Sequence, residues 1–540
     1  MTELLTAAQM KAIEAAAIAS GQVTGLELME RAGRGVVDAV FAEWPELQAG
    51  TFRAVVLCGP GGNGGDGFVV ARLLKEWGWQ VEVFLYGTPE GMPPDARVNY
   101  ERWLAMGEVG ALVAADLLNG AAEEMVEGWE NRNRCVIIDA LFGTGMVRQI
   151  DIGLNSLFQW IDMSLYSSYR QRYCLVSVDI PSGLSADSGK CLDQTLDQSL
   201  DYNAFRAHLT VTFHRAKFGH VLADGPEQCG KLVVADIGLR GDGGVSNISA
   251  PDYRIKKYQS FNKFDHGHAL ILSGPPGHGG AARLSARGAL RIGAGLVTVA
   301  CPQGALAENA ARLDAVMLRV VEDGAGLATV LQDTRINALC IGPGLGLDAR
   351  AVRLVATVLE VSRSRIKSRT AQPLWVVLDA DALTLISRDP TIFYLLHENC
   401  ILTPHGGEFA RLFPDIAAKL AAPATTGPAY SKVDATREAA ARAGCVVLFK
   451  GADTVIADPS GKCSINSAHY DRAAPWLATA GSGDVLAGFI AGLLARGFAP
   501  MQAAETAAWL HVECARSFGP GLIAEDLPEE LPKVFRALGL

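Results

Sequence analysis

The sequence has no run of about eighteen uncharged apolar residues, the length a membrane-spanning helix needs. Its most apolar stretch, VLAGFIAGLLA over 485–495, is bounded by Asp484 and Arg496 and reads as a buried helix. The N-terminus carries an acid, Glu3, and no basic-then-apolar layout, so no secretory signal is expected. The eleven cysteines include no C-x-x-C pair. Cys58, Cys135, Cys174, Cys340 and Cys445 lie in or beside apolar runs and read as small buried hydrophobes, which fits a reducing, cytoplasmic location. Basic residues are not in excess: the net charge is −10, so no nucleic-acid partner is implied. These absences leave a globular chain with neither nucleic acid nor membrane as a partner.

The 540 residues are too many for one ordinary core, and 49% hydrophobic with 20% charged residues is globular composition. Thr6-Ala-Ala-Gln9 is a capping-box pattern that predicts a helix from residue 7. A second amphipathic helix follows, with Leu26, Met29, Gly33, Val36, Val37 and Val40 on one stripe. Strand-length apolar runs then appear at 54–58, 81–86, 135–139, 174–179, 209–213 and 232–236. Helix-length segments separate the earlier ones, so a mostly parallel sheet with helices on both faces is expected. Residues 240–262 are rich in Gly, Ser, Asn and charge and mark a domain boundary. A second α/β series has strand candidates at 269–274, 296–300, 338–342, 374–379, 400–404 and 445–450. The domains are placed at 1–240 and 255–540, with 241–262 as linker.

Gly59, Gly61 and Gly64 spell G-x-G-x-x-G after the first strand, a turn suited to anions at a helix N-terminus. A dinucleotide dehydrogenase needs an acid at the end of the next strand to hold ribose. Tyr86-Gly87 stands there, and Glu82 lies inside the strand, which weakens the dehydrogenase reading. Asn63 and Asp66 in NGGDG are surplus to such a turn, although Asn and Asp also suit turns and helix caps on their own. Two further strand ends carry matching chemistry. DALFGTG ends a strand in Asp139, and VDIPSGL ends one in Asp179 before Ser182. Strand carboxyl ends in an open α/β sheet share one crevice, so Asn63, Asp139 and Ser182 could meet there as oxygen ligands of a cation, with Asp179 as a nearby acid–base group.

GPGGNGGDGFVVAR, DALFGTG and VDIPSGL resemble the NAD(P)H-hydrate epimerase domain over roughly residues 1–240. The resemblance implies a Rossmann-like three-layer αβα fold. It implies hydrate contacts from Gly62, Asn63, Gly64, Gly65 and Asp66, from Gly143, Thr144, Gly145, Met146, Val147, Arg148 and Gln149, and from Asp179. It also implies K⁺ held by Asn63, Asp139 and Ser182. The family often has two adjacent Asn, and here the first is Gly62, so any contact made by that side chain is lost.

In the second series, KGADT places Lys450 and Gly451 at a strand end. LTPHGGE ends another strand near His405, and GPGLG makes a glycine turn around Gly344. ATAGSGD sets Gly481 and Gly483 before an apolar helix whose free N–H groups face an anion. Asp484 there could take a proton from a hydroxyl near a phosphate, or simply cap the helix. DADAL (379–383) puts two acids at a strand end, suited to Mg²⁺ or water positioning.

Together these motifs resemble the ADP-dependent NAD(P)H-hydrate dehydratase domain of the ribokinase-like superfamily over roughly residues 255–540. The order of the two domains is similar to that of the fused bacterial repair enzyme. The resemblance implies that Lys450, Gly451, Ala452, Asp453, Thr454 and Gly483 bind the adenine nucleotide. Ala281, Gly344, His405 and Asp484 would face the hydrate, with Asp484 as base and Asp179 its counterpart in the first domain. HGGAA and TAGSGD depart from the family's usual Met/Tyr-Pro-Gly-Ala and TGGSGD.

The activity so implied is metabolite repair. The R and S forms of hydrated NADH and NADPH are interconverted, and the S form is dehydrated with ADP as co-substrate and Mg²⁺ beside it. A homo-oligomer is expected. The rival reading is a kinase for a small alcohol or vitamin precursor fused to a dinucleotide-binding scaffold.

Overall fold

The structure, a computed structural model, describes residues 2–130, 135–166, 173–192, 204–241, 243–257, 262–368 and 372–540. Two compact units emerge. The first is Glu3–Gly244 with Ala422–Ser431, and the second is built from Thr2, Val245–Ala421 and Lys432–Leu540.

After a short strand β1 (Thr2–Leu4), helix α1 (Ala7–Ala19) starts at the expected cap. Gln9 N donates to Thr6 Oγ1 at 3.1 Å and Thr6 N donates to Gln9 Oε1 at 2.8 Å. Helix α2 (Gly25–Glu43) buries Leu28, Ala32, Gly33, Val36, Val37 and Val40. The expected stripe is thus corrected at its start, where Leu28 rather than Leu26 turns inward.

The sheet of the first unit consists of β2 (Arg53–Cys58), β3 (Gln80–Tyr86), β4 (Val109–Leu112), β5 (Cys135–Ala140), β6 (Tyr173–Val178), β7 (Leu209–Phe213) and β8 (Lys231–Ala235), in the order β4-β3-β2-β5-β6-β7-β8. Every pairing is parallel. Alternate residues feed two cores. Ala54, Val56, Cys58, Val136 and Ile138 join one face, while Val55, Leu57, Cys135 and Ile137 join the other. Burial on both faces is what a parallel sheet sandwiched between helices requires. The chain runs outward from β2 to β4 and then returns to add β5 on β2's other side. The carboxyl ends of β2 and β5 therefore flank a topological switch point, where α/β sheets bind ligands.

The second unit's sheet holds β9 (Val245–Asn247), β10 (His268–Leu272), β11 (Leu296–Cys301), β12 (Met317–Val320), β13 (Ile336–Ile341), β14 (Trp375–Leu378), β15 (Cys400–Leu402), β16 (Val446–Phe449), β17 (Asp453–Ala457) and β18 (Cys463–Ser467). Their order is β9-β18-β17-β16-β15-β14-β13-β10-β11-β12. Strands β10 to β16 are mutually parallel, and β17 runs antiparallel to β16 and β18. The switch point lies between β10 and β13. The stretch 241–262 expected as linker carries β9, paired with β18 through Ser246 and Ser464, so part of it belongs to the sheet. The VLAGFIAGLLA stretch lies in helix Ser482–Ala495 and is buried throughout, as expected. Among the described residues no helix is long and apolar enough to cross a membrane, and ten of the eleven cysteines are buried.

Candidate active sites

In the first unit, β2 runs through Gly59 to Gly61 into helix α3 (Gly62–Glu76), whose first turn has no side-chain cap. Gly64 is obligatory: a Cβ there would sit 1.8 Å from the Gly59 carbonyl oxygen. Its absence lets the loop fold tightly and leaves helix N–H groups pointing outward. Glu82 pairs with Arg53 at 2.7 Å, so it does not serve a ribose.

The turn after β5 draws the expected ion ligands together. Asp139 is fully buried. Ser182 Oγ donates to Asp139 Oδ1 at 2.6 Å, Ser182 N donates to Oδ2 at 2.8 Å, and Ser177 Oγ donates to Oδ2 at 3.0 Å. Phe142 N in turn donates to Ser182 Oγ at 2.9 Å. Burial pushes the Asp139 carboxyl up to about 6 even though these donors favour its charged form. Asn63 packs against the same turn, its Oδ1 3.2 Å from where a Gly143 Cβ would stand. Asn63 Nδ2 is buried with no hydrogen-bond partner among the described residues. A buried amide with an unpaired end calls for a further ligand in the site.

Asp179 follows β6 with φ 66°, a left-handed conformation unusual for a non-glycine residue. Two bonds hold it there. Asp179 N donates to Val211 O at 2.8 Å, and His220 Nε2 lies 2.9 Å from Asp179 O. Its Oδ1 accepts from Lys217 Nζ at 2.8 Å and from Thr212 Oγ1 at 2.9 Å. Its Oδ2 meets Thr144 N of the G-T-G turn at 3.4 Å. Burial alone would raise its pKa, but the Lys217 ammonium beside it holds the carboxyl below its ordinary value. Asp66 is the opposite case. Burial and the neighbouring Asp179 and Glu14 carboxylates push it well above the usual range, and Glu14 is raised for similar reasons.

Lys217, Thr212, His220 and Glu14 were not singled out by the sequence. The available signal was position: Lys217 lies just past the end of β7, on the same sheet edge as the motifs.

In the second unit, Gly481 adopts φ 87° to start helix Ser482–Ala495, so its lack of a Cβ is used. Lys450, after β16, reaches this terminus; its Nζ stands 3.3 Å from where a Gly483 Cβ would be. Lys450 Nζ donates to Asp379 Oδ1 at 2.8 Å and lies 3.7 Å from Glu408. Thr403 Oγ1 also donates to Asp379 Oδ1, at 2.7 Å. Burial would lower the Lys450 pKa, but Asp379 and Glu408 outweigh it and raise it. Asp484 is pushed up to about 7 by burial and by Asp379, with Lys450 opposing. Its backbone oxygen accepts from Ser285 Oγ at 2.7 Å.

The second DADAL acid, Asp381, accepts from Gly346 N at 2.9 Å, so it braces the GPGLG turn. Gly344 and Ala281 adjoin: Ala281 Cβ lies 3.5 Å from a Cβ placed on Gly344. His405 caps helix Gly406–Leu412, accepting from Gly407 N at 3.0 Å, and its side chain is 57% exposed, open to a ligand. Within KGADT, Thr454 Oγ1 closes the turn onto Gly451 O at 2.7 Å. Asp453 is taken by Lys432 at 2.6 Å, and Ala452 O accepts from Ala468 N at 2.7 Å. Glu408, Thr403 and Lys432 do not stand out in the sequence, although the first two lie within LTPHGGE beside His405.

Comparison with known proteins agrees across both units. A family model described as NAD(P)H-hydrate dehydratase matches residues 269–533, and one described as the YjeF-related protein N-terminus matches 25–219. The bifunctional NAD(P)H-hydrate repair enzyme of Moorella thermoacetica is 36% identical over 557 aligned residues, covering 99% of this chain and 97% of its own. The NAD(P)H-hydrate epimerase of Roseobacter litoralis is 45% identical over 44% of this chain and 100% of its own. Among solved structures, the ADP/ATP-dependent NAD(P)H-hydrate dehydratase of Bacillus subtilis, co-crystallized with ATP and Mg²⁺, is 25% identical with a TM-score of 0.40, covering 54% of this chain and 99% of its own.

Proposed function

The chain belongs to the family of bifunctional NAD(P)H-hydrate repair enzymes, and from that premise we propose which residues carry each half of the reaction. The protein is an NAD(P)H-hydrate epimerase and a nucleotide-dependent NAD(P)H-hydrate dehydratase.

The first unit binds the hydrate across Gly62–Asp66 and Gly143–Gln149, with its phosphates toward the open end of α3. Asp179 exchanges a proton with the hydroxyl-bearing centre. The ionised state that Lys217 favours suits a base. The oxygen donors of Asn63, Asp139 and Ser182 fit K⁺, a hard cation that takes carboxylate, carbonyl and hydroxyl oxygens. The buried Asp139–Ser182 pair supports placing it there, while the unpaired Asn63 Nδ2 is a donor and suits an acceptor oxygen of the hydrate. Bound there, K⁺ would offset phosphate charge.

The second unit acts on the S form. Asp484 takes the proton of the hydrate's hydroxyl as its oxygen attacks the terminal phosphorus of ADP. The phosphorus–oxygen bond to AMP breaks, and AMP leaves. The ring nitrogen's lone pair then expels phosphate from carbon, and loss of the adjacent ring proton restores the double bond of NAD(P)H. The N–H groups at Gly481–Gly483 and the Lys450 ammonium stabilise the moving charge. Asp453 and Thr454 spend their side chains on Lys432 and on the turn itself, which supports the stretch from Gly451 to Thr454 holding the nucleotide by the shape of the turn rather than by side-chain hydrogen bonds. Asp379 already uses Oδ1 for Lys450 and Thr403, so Mg²⁺ would be held chiefly by the nucleotide's phosphates. Ala281, Gly344 and His405 line the hydrate side. We further propose ADP rather than ATP as donor, a cytoplasmic location and a homo-oligomer.

The observation that carries the reading is the position of Asp484, a carboxyl poised near neutrality at an open helix N-terminus beside a paired lysine. The test mixes purified protein with hydrated NADH, with and without ADP, ATP and Mg²⁺. Return of NADH absorbance from both epimers is expected with ADP. No return with either nucleotide would overturn it.

A further inference from the structure

Lys217 is completely buried, and a buried ammonium must have each proton accepted. Its three acceptors are Asp179 Oδ1 at 2.8 Å, Thr212 Oγ1 at 2.7 Å and Phe213 O at 3.2 Å. Thr212 Oγ1 itself donates to Asp179 Oδ1 at 2.9 Å. Lysine, threonine and carboxylate thus close a triangle on one carboxylate oxygen.

The same two residues are tied a second time. Lys217 N donates to His220 Nδ1 at 2.9 Å, which leaves the proton on Nε2, and Nε2 donates to Asp179 O at 2.9 Å. The His220 ring is held neutral, down to about 4, by burial and by the Lys217 charge. This clamp fixes Asp179 at its strained φ of 66°. Among the described residues the other oxygen, Oδ2, meets only Thr144 N, at a long 3.4 Å. It is therefore the oxygen presented to the G-T-G turn.

We infer that Lys217 is a positioning residue for epimerisation: its ammonium and the Thr212 hydroxyl lock Oδ1 of Asp179 so that Oδ2 alone exchanges a proton with the hydrate. The inference rests on the assignment of Asp179 as the acid–base group. The charged and titratable groups around Asp179 are Lys217 and His220 after β7, Asp66 on α3 and Glu14 on α1. Lys217 is the one cation among these groups, since His220 is neutral. Without it, Asp179 would face two carboxyls and no compensating charge, and would bind its proton more tightly.

The experiment follows interconversion of R and S hydrated NADH by the full chain across pH, with dehydration of the S form as a control read from the other unit. Lys217→Met keeps the length of the side chain and removes its charge. Expected is a loss of about 100-fold in epimerisation, with the acidic limb of the rate profile moved up by about 1–3 pH units and dehydration unchanged. Lys217→Arg, which restores a cation, is expected to return the limb toward its original position. An unchanged rate, or a lowered rate whose limb stays in place, overturns the inference. Thr212→Val tests it where Lys217→Met does not fold. It removes the shared hydroxyl and leaves the charge, so a roughly tenfold loss is expected, and an unchanged rate overturns the inference. If the wild-type chain does not interconvert the epimers, the epimerase assignment itself fails. If it does and the variants match it, only the role of Lys217 fails.

Discussion

Lys450 Nζ and Asp379 Oδ1 stand 2.8 Å apart, joining the loops after β16 and β14 across the end of β15. Both side chains are mostly buried, and Thr403 donates to the same carboxylate oxygen. Removing one partner of such a pair strands the other charge in a low-dielectric site, which costs about 3–5 kcal/mol. Lys450→Met is therefore expected to destabilise the second unit by about that much and to lower dehydration. Urea unfolding followed alongside dehydration checks it; an unchanged unfolding midpoint would show that Asp379 is not dependent on Lys450.

Asp484 is expected to set the pH dependence of dehydration. Burial and Asp379 raise its pKa to about 7. A base works when ionised, so kcat/KM for the S hydrate should rise with pH through about 7 and level off above it. Asp379→Asn removes a neighbouring negative charge and leaves Lys450 nearby, so the limb should move to lower pH. A limb that stays in place or moves up would show that another group controls it. Asp484→Asn should abolish dehydration and leave epimerisation intact, with Asp179→Asn doing the reverse. Loss of both activities from either change in a folded protein would break the two-site assignment.

Ser182 serves Asp139 twice, through its hydroxyl at 2.6 Å and its backbone N at 2.8 Å. Ser182→Ala keeps the second bond and removes the first, along with one of the oxygens assigned to K⁺. Epimerisation by the wild-type chain should be faster in KCl than in LiCl at equal ionic strength. In Ser182→Ala the half-saturating K⁺ concentration should rise by about tenfold, the effect of one lost donor worth roughly 1.4 kcal/mol. Equal rates in both salts for the wild-type chain would remove K⁺ from the site.

Both sheets could be read from the sequence because their central strands are continuous apolar runs, as burial on both faces demands. The apolar runs mark Arg53–Cys58 and Leu209–Phe213 to within a residue of their ends. The strands that escaped were short and mostly peripheral. Val109–Leu112 contains a glycine, and Met317–Val320 and Val245–Asn247 sit at or near sheet edges with half-polar faces. The glycine turns and strand-end acids of the sites were legible because their residue types are conspicuous after a strand. Lys217 and Glu408 were not, since a lone lysine or glutamate looks like a surface residue until the fold buries it. The same limit hid the company of Asp179. Its neighbours Thr212 and Lys217 lie more than thirty positions away and meet it only because β6 and β7 are adjacent.

The segment Ala422–Ser431 belongs with the first unit although it lies far from it along the chain. Gly427 N donates to Val147 O at 2.9 Å, and Thr426 pairs with Arg148 in an antiparallel bridge. Ala424 and Ala429 share a small apolar cluster with Leu192 and Met146. The loop proposed to hold the hydrate, Gly143–Gln149, is thus backed by residues outside the motif that defines it. A Cβ on Gly427 would stand 3.0 Å from Met146 O and 3.3 Å from Val147 Cα, closer than the backbone tolerates without shifting. Gly427→Ala should therefore displace the loop by a fraction of an ångström. Small misplacements of binding groups have large kinetic effects, so KM for the hydrate in epimerisation should rise by roughly tenfold while dehydration of the S form is unchanged. An unchanged epimerase KM would mean that the loop keeps its shape without this support.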